Sequence, residues 1–319
     1  MDLQHLTNIQ NAIDLATKNS EIAGLHVLVY KDNKEQGYWQ SGYADIANKK
    51  IFSRDTICRL FSQSKPITAV AALILVEEGK IELDDQVGKY IPEFWDLKVC
   101  TQRGKNGIPT KSNRPLLIQD LLNMTSGYTY GAWSEDCPIG EHLTSSFIQE
   151  LNNDVISDNK ITTLDVAKRL AQIPVSFEPG TDYQYGLSAD ILGAVIEVVS
   201  GMKFSLFLKK KIFEPLGMND TAFYVPQEKQ NRLSCVYTEK NHSLELFESP
   251  NLGIQHSMKL EPSFESGGAG LCSTIDDYMK FALMLCNKGK LNGKRILQER
   301  TVEFMMNAKL RLNLQQRFD

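Results

Sequence analysis

Residues 59–68 of this 319-residue chain read Arg-Leu-Phe-Ser-Gln-Ser-Lys-Pro-Ile-Thr. Ser62 stands three residues ahead of Lys65, so the two side chains would share one face of a helical turn, with the amine within reach of the hydroxyl. The short apolar segment before Ser62 is typical of a strand. Residues 67–79 predict a buried helix that ends at Gly79. We therefore expect Ser62 to lie where a strand gives way to a helix.

A serine at such a junction becomes a nucleophile when a base removes its proton. A lysine amine can be that base only when it is uncharged, and both burial and the positive end of a helix disfavour a charged amine. The same helix end favours a developing oxyanion, and the Ser62 N–H is a candidate donor to it. The alternative is a helix cap followed by a surface lysine, and the pattern alone leaves the two interpretations even.

The same spacing occurs twice more in the chain. Ser157 and Lys160 lie in a polar loop, and Ser200 and Lys203 join two predicted helices. We interpret both pairs as turn or cap chemistry. The interpretation of Ser62 therefore depends on other segments.

Four further segments accompany residues 59–69. Residues 121–128 read Leu-Leu-Asn-Met-Thr-Ser-Gly-Tyr, and residues 179–188 read Pro-Gly-Thr-Asp-Tyr-Gln-Tyr-Gly-Leu-Ser; the others are residues 212–221 and 266–274. In this order the five segments resemble the serine β-lactamase and penicillin-binding protein superfamily, in particular the class C-like branch that includes β-lactamase-fold esterases. The resemblance runs from about residue 24 to the end of the chain.

The resemblance implies an α/β (α+β) fold of the β-lactamase/DD-peptidase type, with an antiparallel sheet, flanking helices and a mostly helical lobe. Residues 1–319 would form one domain. Its α/β lobe would come from residues 1–61 and 262–319, and its helical lobe from residues 62–261. The site would lie in the cleft between the two lobes.

The resemblance also assigns roles to single residues. Ser62 would be the acylated nucleophile, Lys65 its base, and Tyr185 the group that passes a proton to the leaving group and activates water. A tyrosine suits that role when a nearby cation lowers its pKa. Relatives mostly show tyrosine, any residue, then asparagine, which this chain lacks, and residues 185–188 are closer to the esterase branch. Tyr183 is the rival candidate, although packing on a strand face is the simpler interpretation for it.

A second departure concerns a motif on a C-terminal strand, whose sequence in relatives is K-T-G, H-x-G or W-G-G. None of these occurs in the chain. We therefore expect the chain to be truncated relative to the family, with its C-terminal strands incomplete. Losing one oxyanion donor of that strand would cost about 100- to 1000-fold in rate.

The predicted function is a serine hydrolase that acts through an acyl-enzyme on ester or amide bonds, as an esterase-type member of the family. The alternatives are a β-lactamase or D-Ala-D-Ala carboxypeptidase, and a catalytically defective binding protein or fragment. The substrate would be a small-molecule ester or a β-lactam or peptide-like molecule, with no cofactor. An α/β-hydrolase is disfavoured because the chain has no G-x-S-x-G.

Tyr128 and Tyr130 are predicted either to line the cleft or to pack on the surface.

Composition limits the possible partners. A net charge of −4 and a pI near 5.8 give no reason to expect nucleic acid or an anionic membrane surface. The start shows no signal peptide and no apolar run reaches the length of a membrane span, so we expect a cytoplasmic protein. The five histidines show no metal-ligand spacing, so no metal is expected. Six cysteines without C-x-x-C predict reduced thiols: Cys58, Cys100, Cys137, Cys235, Cys272 and Cys286.

Periodicity predicts the elements. An amphipathic helix is expected at 3–18 and a hairpin at 24–31 and 36–43. Residues 98–115 and 130–160 are expected to be loops. Further helices are predicted at 64–78, 117–123, 163–171, 188–200, 203–213, 275–286 and 297–306.

Overall fold

The computed structural model describes residues 3–100, 108–131, 137–157, 160–307 and 310. Its helices are α1 Leu3–Lys18, α2 Ser64–Glu77, α3 Ile118–Leu122, α4 Pro138–Ile156, α5 Thr163–Leu170, α6 Ser188–Ser200, α7 Phe204–Leu208, α8 Glu214–Leu216, α9 Ile275–Cys286 and α10 Glu299–Asn307. Its strands are β1 Gly24–Lys31, β2 Lys34–Asp45, β3 Lys50–Ile51, β4 Cys58–Arg59, β5 Lys98–Cys100, β6 Pro109–Lys111, β7 Tyr237–Lys240, β8 Ser243–Leu246, β9 Cys272–Ser273, β10 Lys290–Leu291 and β11 Lys294–Arg295.

An antiparallel hairpin of β1 and β2 begins the sheet, and β3 pairs with the end of β2. The two-residue turn between Lys31 and Lys34 holds Asp32 and Asn33 at φ of 52° and 58°. Asp and Asn tolerate this left-handed conformation, which matches the twist of a tight hairpin. Helix α1 packs on β2, where the Thr17 and Ser41 hydroxyls are 2.8 Å apart.

Helix α6 lies at the centre of the helical packing and contacts α2, α3, α5 and α7. Its residues from Ser188 to Ile196 are buried, and most of α2 between Ile67 and Leu75 is buried with it. Gly201 ends α6 in the left-handed conformation, at φ 65°. Helices α2 and α6 therefore pack against each other in the core, and this packing fixes the position of their first turns.

A two-residue pairing joins distant parts of the chain. Strand β4 pairs antiparallel with β9, placing Cys58 opposite Ser273 and Arg59 opposite Cys272. The Leu60 N–H also donates to the Leu271 carbonyl at 2.8 Å. As a result, residues 266–271 run directly beside the start of α2.

The predicted hairpin and most predicted helices are confirmed, whereas both predicted loops are wrong where the structure describes them. Residues 98–115 contain β5 and β6, which pair with each other, and residues 130–160 contain the 19-residue helix α4. The helix predicted at 203–213 is divided, because α7 ends at Leu208 and a π-helical turn spans Lys209–Phe213.

Cys100 and Cys137 form a disulfide, with Cα atoms 5.6 Å apart. The expectation of six reduced thiols is therefore wrong for this pair. Sequence spacing did not reveal it because the pairing depends on topology: Val99 bridges to Val175, and Cys137 Sγ lies against the Pro174 carbonyl.

Among the described residues, no single helix has both the length and the apolar content needed to cross a bilayer. Residues Ser188–Ser200 and Phe204–Leu216 meet those two criteria only when taken together, and they are bent by 76° with respect to each other.

Candidate active site

Ser62 lies in a 3-10 turn, Phe61–Gln63, that leads directly into α2. The residue before it, Phe61, adopts φ 46°, a left-handed conformation that is strained for a bulky side chain. The strained residue redirects the chain between β4 and α2. Ser62 is exposed to solvent, while Lys65 on the first turn of α2 is half-buried.

The spacing of Ser62 and Lys65 brings the two side chains into contact, as predicted. Lys65 Nζ is 3.0 Å from Ser62 Oγ, which is hydrogen-bond distance. The amine also donates to the Gly268 carbonyl at 2.9 Å. Two anchoring contacts hold the amine beside the hydroxyl, which is the geometry that a proton transfer between them requires.

Tyr185 is the third member of the group, and its ring centroid lies 4.6 Å from Lys65 Nζ. Burial alone would raise the pKa of Tyr185, but hydrogen bonds with Lys65 and Ser62, together with the Lys65 charge, bring the pKa below its ordinary value. A phenol whose pKa is lowered in this way is better suited to exchanging a proton with a leaving group.

The rival Tyr183 differs in its electrostatics. Burial raises the pKa of Tyr183, and the nearby Tyr185 adds to the rise. Of the two tyrosines, Tyr185 alone has its pKa lowered. Gly186 follows Tyr185 because an added Cβ there would lie 2.1 Å from the Tyr128 carbonyl oxygen, closer than any real contact.

The two tyrosines after the Thr125–Gly127 turn have different surroundings, and neither packs on the surface. Tyr128 is 1% exposed and meets Phe94 edge to face, so it belongs to the core. Tyr130 belongs to the site: its ring lies 5.6 Å from Lys65 Nζ and 5.8 Å from the Tyr185 ring. Burial raises the pKa of Tyr130 well above its ordinary value, so it stays a neutral phenol.

The other two Ser/Lys pairs take the structural roles expected of them. Ser157 follows α4 and its hydroxyl donates to the Asp154 carbonyl, while Ser200 is the last residue of α6. Lys203 forms ion pairs with Glu261 and Glu265.

A cavity of about 660 Å³ lies elsewhere, lined by residues such as Phe213, Phe223 and Tyr224 and by charged groups that pair with one another. Neither Ser62 nor Lys65 lines it.

Sequence analysis gave no role in the site to Asp190, and it used the segment at 266–274 only as one of those that carry the resemblance. Asp190 is 2% exposed, and Gly268 supplies the carbonyl that binds Lys65. The run Ser-Gly-Gly-Ala-Gly at 266–270 was visible as a signal, since consecutive small residues mark a close backbone approach.

A family model described as Beta-lactamase matches residues 9–318. The chain is 31% identical over 290 residues to Protein Rv1367c of Mycobacterium tuberculosis (strain ATCC 25618 / H37Rv), covering 91% of this chain and 68% of that protein. It is 27% identical to Esterase EstB of Burkholderia gladioli, covering 84% of this chain and 66% of the esterase. The chain thus spans about two thirds of the length of both relatives.

Among solved structures, the fold is similar to that of EstCE1, a hydrolase with promiscuous acyltransferase activity. The TM-score is 0.75 at 27% identity, and the match covers 96% of this chain and 77% of that one.

Proposed function

The chain belongs to the beta-lactamase family and has the β-lactamase/DD-peptidase fold, and from this premise we propose that it is a serine hydrolase that cleaves esters through an acyl-enzyme. The observation that carries the proposal is the contact of Lys65 Nζ with Ser62 Oγ at 3.0 Å, beside a tyrosine whose pKa is lowered. Esters are the proposed substrate class because an esterase and a hydrolase with acyltransferase activity are among the similar proteins.

In the proposed acylation, Ser62 Oγ passes its proton to Lys65 Nζ and bonds to the ester carbonyl carbon. The negative charge moves to the carbonyl oxygen, for which the Ser62 N–H is the proposed donor. The bond from carbon to the alcohol oxygen then breaks, and the leaving alkoxide takes the proton of the Lys65 ammonium, which Tyr185 relays. A water molecule then attacks the acyl-enzyme carbonyl carbon in the same manner, which releases the acid and restores the Ser62 hydroxyl.

Covalent labelling of the purified chain tests the proposal. A fluorophosphonate should add one adduct by intact mass, and peptide mapping should place it on Ser62. Ser62→Ala should abolish the adduct, whereas Ser157→Ala, which removes the serine of another S-x-x-K pair, should leave it unchanged. Labelling that survives Ser62→Ala, or no labelling of the unaltered chain, would sink the proposal.

Two further readouts separate the alternatives. Turnover of p-nitrophenyl acetate that depends on Ser62 supports the esterase, whereas acylation by a labelled penicillin in preference to esters points to a β-lactamase or peptidase. An adduct without turnover of either substrate points to a defective or binding protein.

A further inference from the structure

Asp190 is a buried carboxylate near the start of α6, five residues after Tyr185. Its Oδ1 accepts a hydrogen bond from Ser266 Oγ at 2.6 Å and another from the Gly268 N–H at 3.1 Å. Within the described residues, no basic side chain forms a salt bridge with it. A buried charge without a direct ionic partner is costly, so its position calls for an explanation.

Asp190 and Lys65 both form a hydrogen bond with the backbone of Gly268. The Gly268 N–H binds the Asp190 carboxylate, and the Gly268 carbonyl binds Lys65 Nζ at 2.9 Å. We call residues 266–271 the strap. Two contacts tie the strap to α2: Thr68 Oγ1 donates to the Gly267 carbonyl at 2.8 Å, and the Leu271 N–H donates to Ser64 Oγ at 3.1 Å.

The two strap glycines allow this close approach. A Cβ on Gly268 would lie 2.7 Å from Asp190 Oδ2, and a Cβ on Gly267 would lie 2.3 Å from the Ala189 carbonyl oxygen. Any side chain at either position would push the strap away from α6. The Asp190 carboxylate therefore packs directly against the strap backbone, which leaves no room for a side chain at Gly267 or Gly268.

Building on the proposed function, we infer that Asp190 is a positioning residue for Lys65. It fixes the strap backbone that holds the amine, and its negative charge stabilises the ammonium that forms when Ser62 gives up its proton. Asp190 takes no proton itself in this step, because the proton moves from Ser62 Oγ to Lys65 Nζ. The third group of a serine-histidine-aspartate triad acts on its base in a comparable way.

The charge of Asp190 interacts with several groups near Ser62. The groups that interact with it are Lys65 on α2 and the phenols of Tyr130 and Tyr185, through charge, and the Ser266 and Gly268 donors of the strap, through hydrogen bonds. Burial raises the pKa of Asp190, while the two hydrogen bonds and the Lys65 charge oppose the rise. Asp190 also adds to the raised pKa of Tyr130, after burial, and acts against the lowering of the pKa of Tyr185.

The test compares Asp190→Asn with Glu197→Gln. Both remove a carboxylate from α6, but Glu197 binds the Phe204 N–H away from Lys65. The readout is the second-order rate constant for fluorophosphonate labelling of Ser62, measured across pH. For Asp190→Asn we expect the plateau to fall about 10- to 100-fold. The rising limb should shift to lower pH, because Asp190 acts against the lowering of the pKa of Tyr185, and its loss lets that pKa fall further. Glu197→Gln should keep both the plateau and the limb of the unaltered chain.

A folded Asp190→Asn with the plateau and limb of Glu197→Gln would overturn the inference, because a merely structural role does not move the limb. If Asp190→Asn does not fold, Ser266→Ala replaces it, since that variant keeps the carboxylate and removes one of its donors. A folded Ser266→Ala should label about 3- to 10-fold more slowly, and an unchanged rate would also overturn the inference. Absence of labelling in the unaltered chain would instead remove the proposed function.

Discussion

At the scale of single residues, the candidate site is arranged around one amine, which has four neighbours. Lys65 Nζ contacts Ser62 Oγ and the Gly268 carbonyl, and the rings of Tyr130 and Tyr185 flank it. The tyrosines differ electrostatically, because only Tyr185 has its pKa lowered while that of Tyr130 is raised. Of these two phenols, Tyr185 is therefore the one whose hydroxyl we expect to matter for proton transfer.

Replacing the Tyr185 hydroxyl should be far more costly than replacing that of its neighbour two positions earlier. Tyr185→Phe should lower ester turnover by about 100- to 10,000-fold, the usual contribution of a positioned acid or base. Tyr183→Phe is the matched control and should stay within about threefold of the unaltered chain, as expected of a residue outside the chemistry. Steady-state kinetics on p-nitrophenyl acetate measures both. A larger loss in Tyr183→Phe would transfer the role to Tyr183.

The sequence predicted the contact of Ser62 with Lys65, and the resemblance added Tyr185, but no sequence pattern assigned a role to Asp190 or Gly268. Ser62 and Lys65 are three residues apart, so helix geometry alone places their side chains together. Asp190 and Gly268 approach Lys65 only because β4 pairs with β9 and α6 packs on α2. No local pattern carries that information, and so their contribution appears only in the folded chain.

At the scale of elements, periodic segments were predictable and irregular ones were not. Helices α2 and α6 are apolar and uninterrupted, and their predicted bounds hold to within a residue. Helix α4 was missed because its sequence is polar, with Gly140 in its first turn and an Asn-Asn-Asp run near its end. Strands β5 and β6 are three residues each, too short to show alternation.

The turn that leads towards Tyr185 is held by a cluster around Asp120 on α3. Asp120 is 3% exposed and accepts from Arg114 Nη1 at 2.6 Å and from the Leu117 N–H at 3.0 Å. Arg114 also donates to the Pro179 carbonyl, and Glu178 accepts from the Ser112 hydroxyl at 2.5 Å. The cluster joins α3 to the segment before Tyr185.

Arg114→Met should lower the free energy of unfolding by about 3 to 5 kcal/mol, because it leaves the Asp120 carboxylate buried without its cation. Arg169→Met is the control: Arg169 pairs with Glu150, both side chains are about half exposed, and the expected loss is below about 1 kcal/mol. Urea unfolding monitored by circular dichroism measures both variants. Equal losses would show that burial of Asp120 does not determine the cost.

At the scale of the whole molecule, a covalent link closes the loop that carries the Tyr130 side of the site. The Cys100–Cys137 disulfide spans 37 residues and encloses α3, the Thr125–Gly127 turn and Tyr130. A cross-link of this span restricts the unfolded chain more than the folded one. The link therefore stabilises the part of the fold that contacts Lys65 through Tyr130.

Replacing both linked cysteines with serine should lower the free energy of unfolding by about 3 to 4 kcal/mol, from the loop length. Reductant should lower the thermal midpoint of the unaltered chain and leave that of the double variant unchanged. Cys286→Ser, which removes an exposed free thiol, should behave like the unaltered chain. Six alkylatable thiols in the native, unreduced protein would contradict the link.

The strap has a further consequence for how the protein is made. Lys65 and the Gly268 carbonyl that holds its amine are 203 residues apart along the chain. A ribosome that adds about 5 to 20 residues per second needs roughly 10 to 40 s to travel that distance. Throughout that interval the nascent polypeptide contains Ser62 and Lys65 without the backbone carbonyl that binds the Lys65 amine. Lys65 therefore gains its hydrogen bond to the Gly268 carbonyl only after α2 and every segment up to the strap have been made.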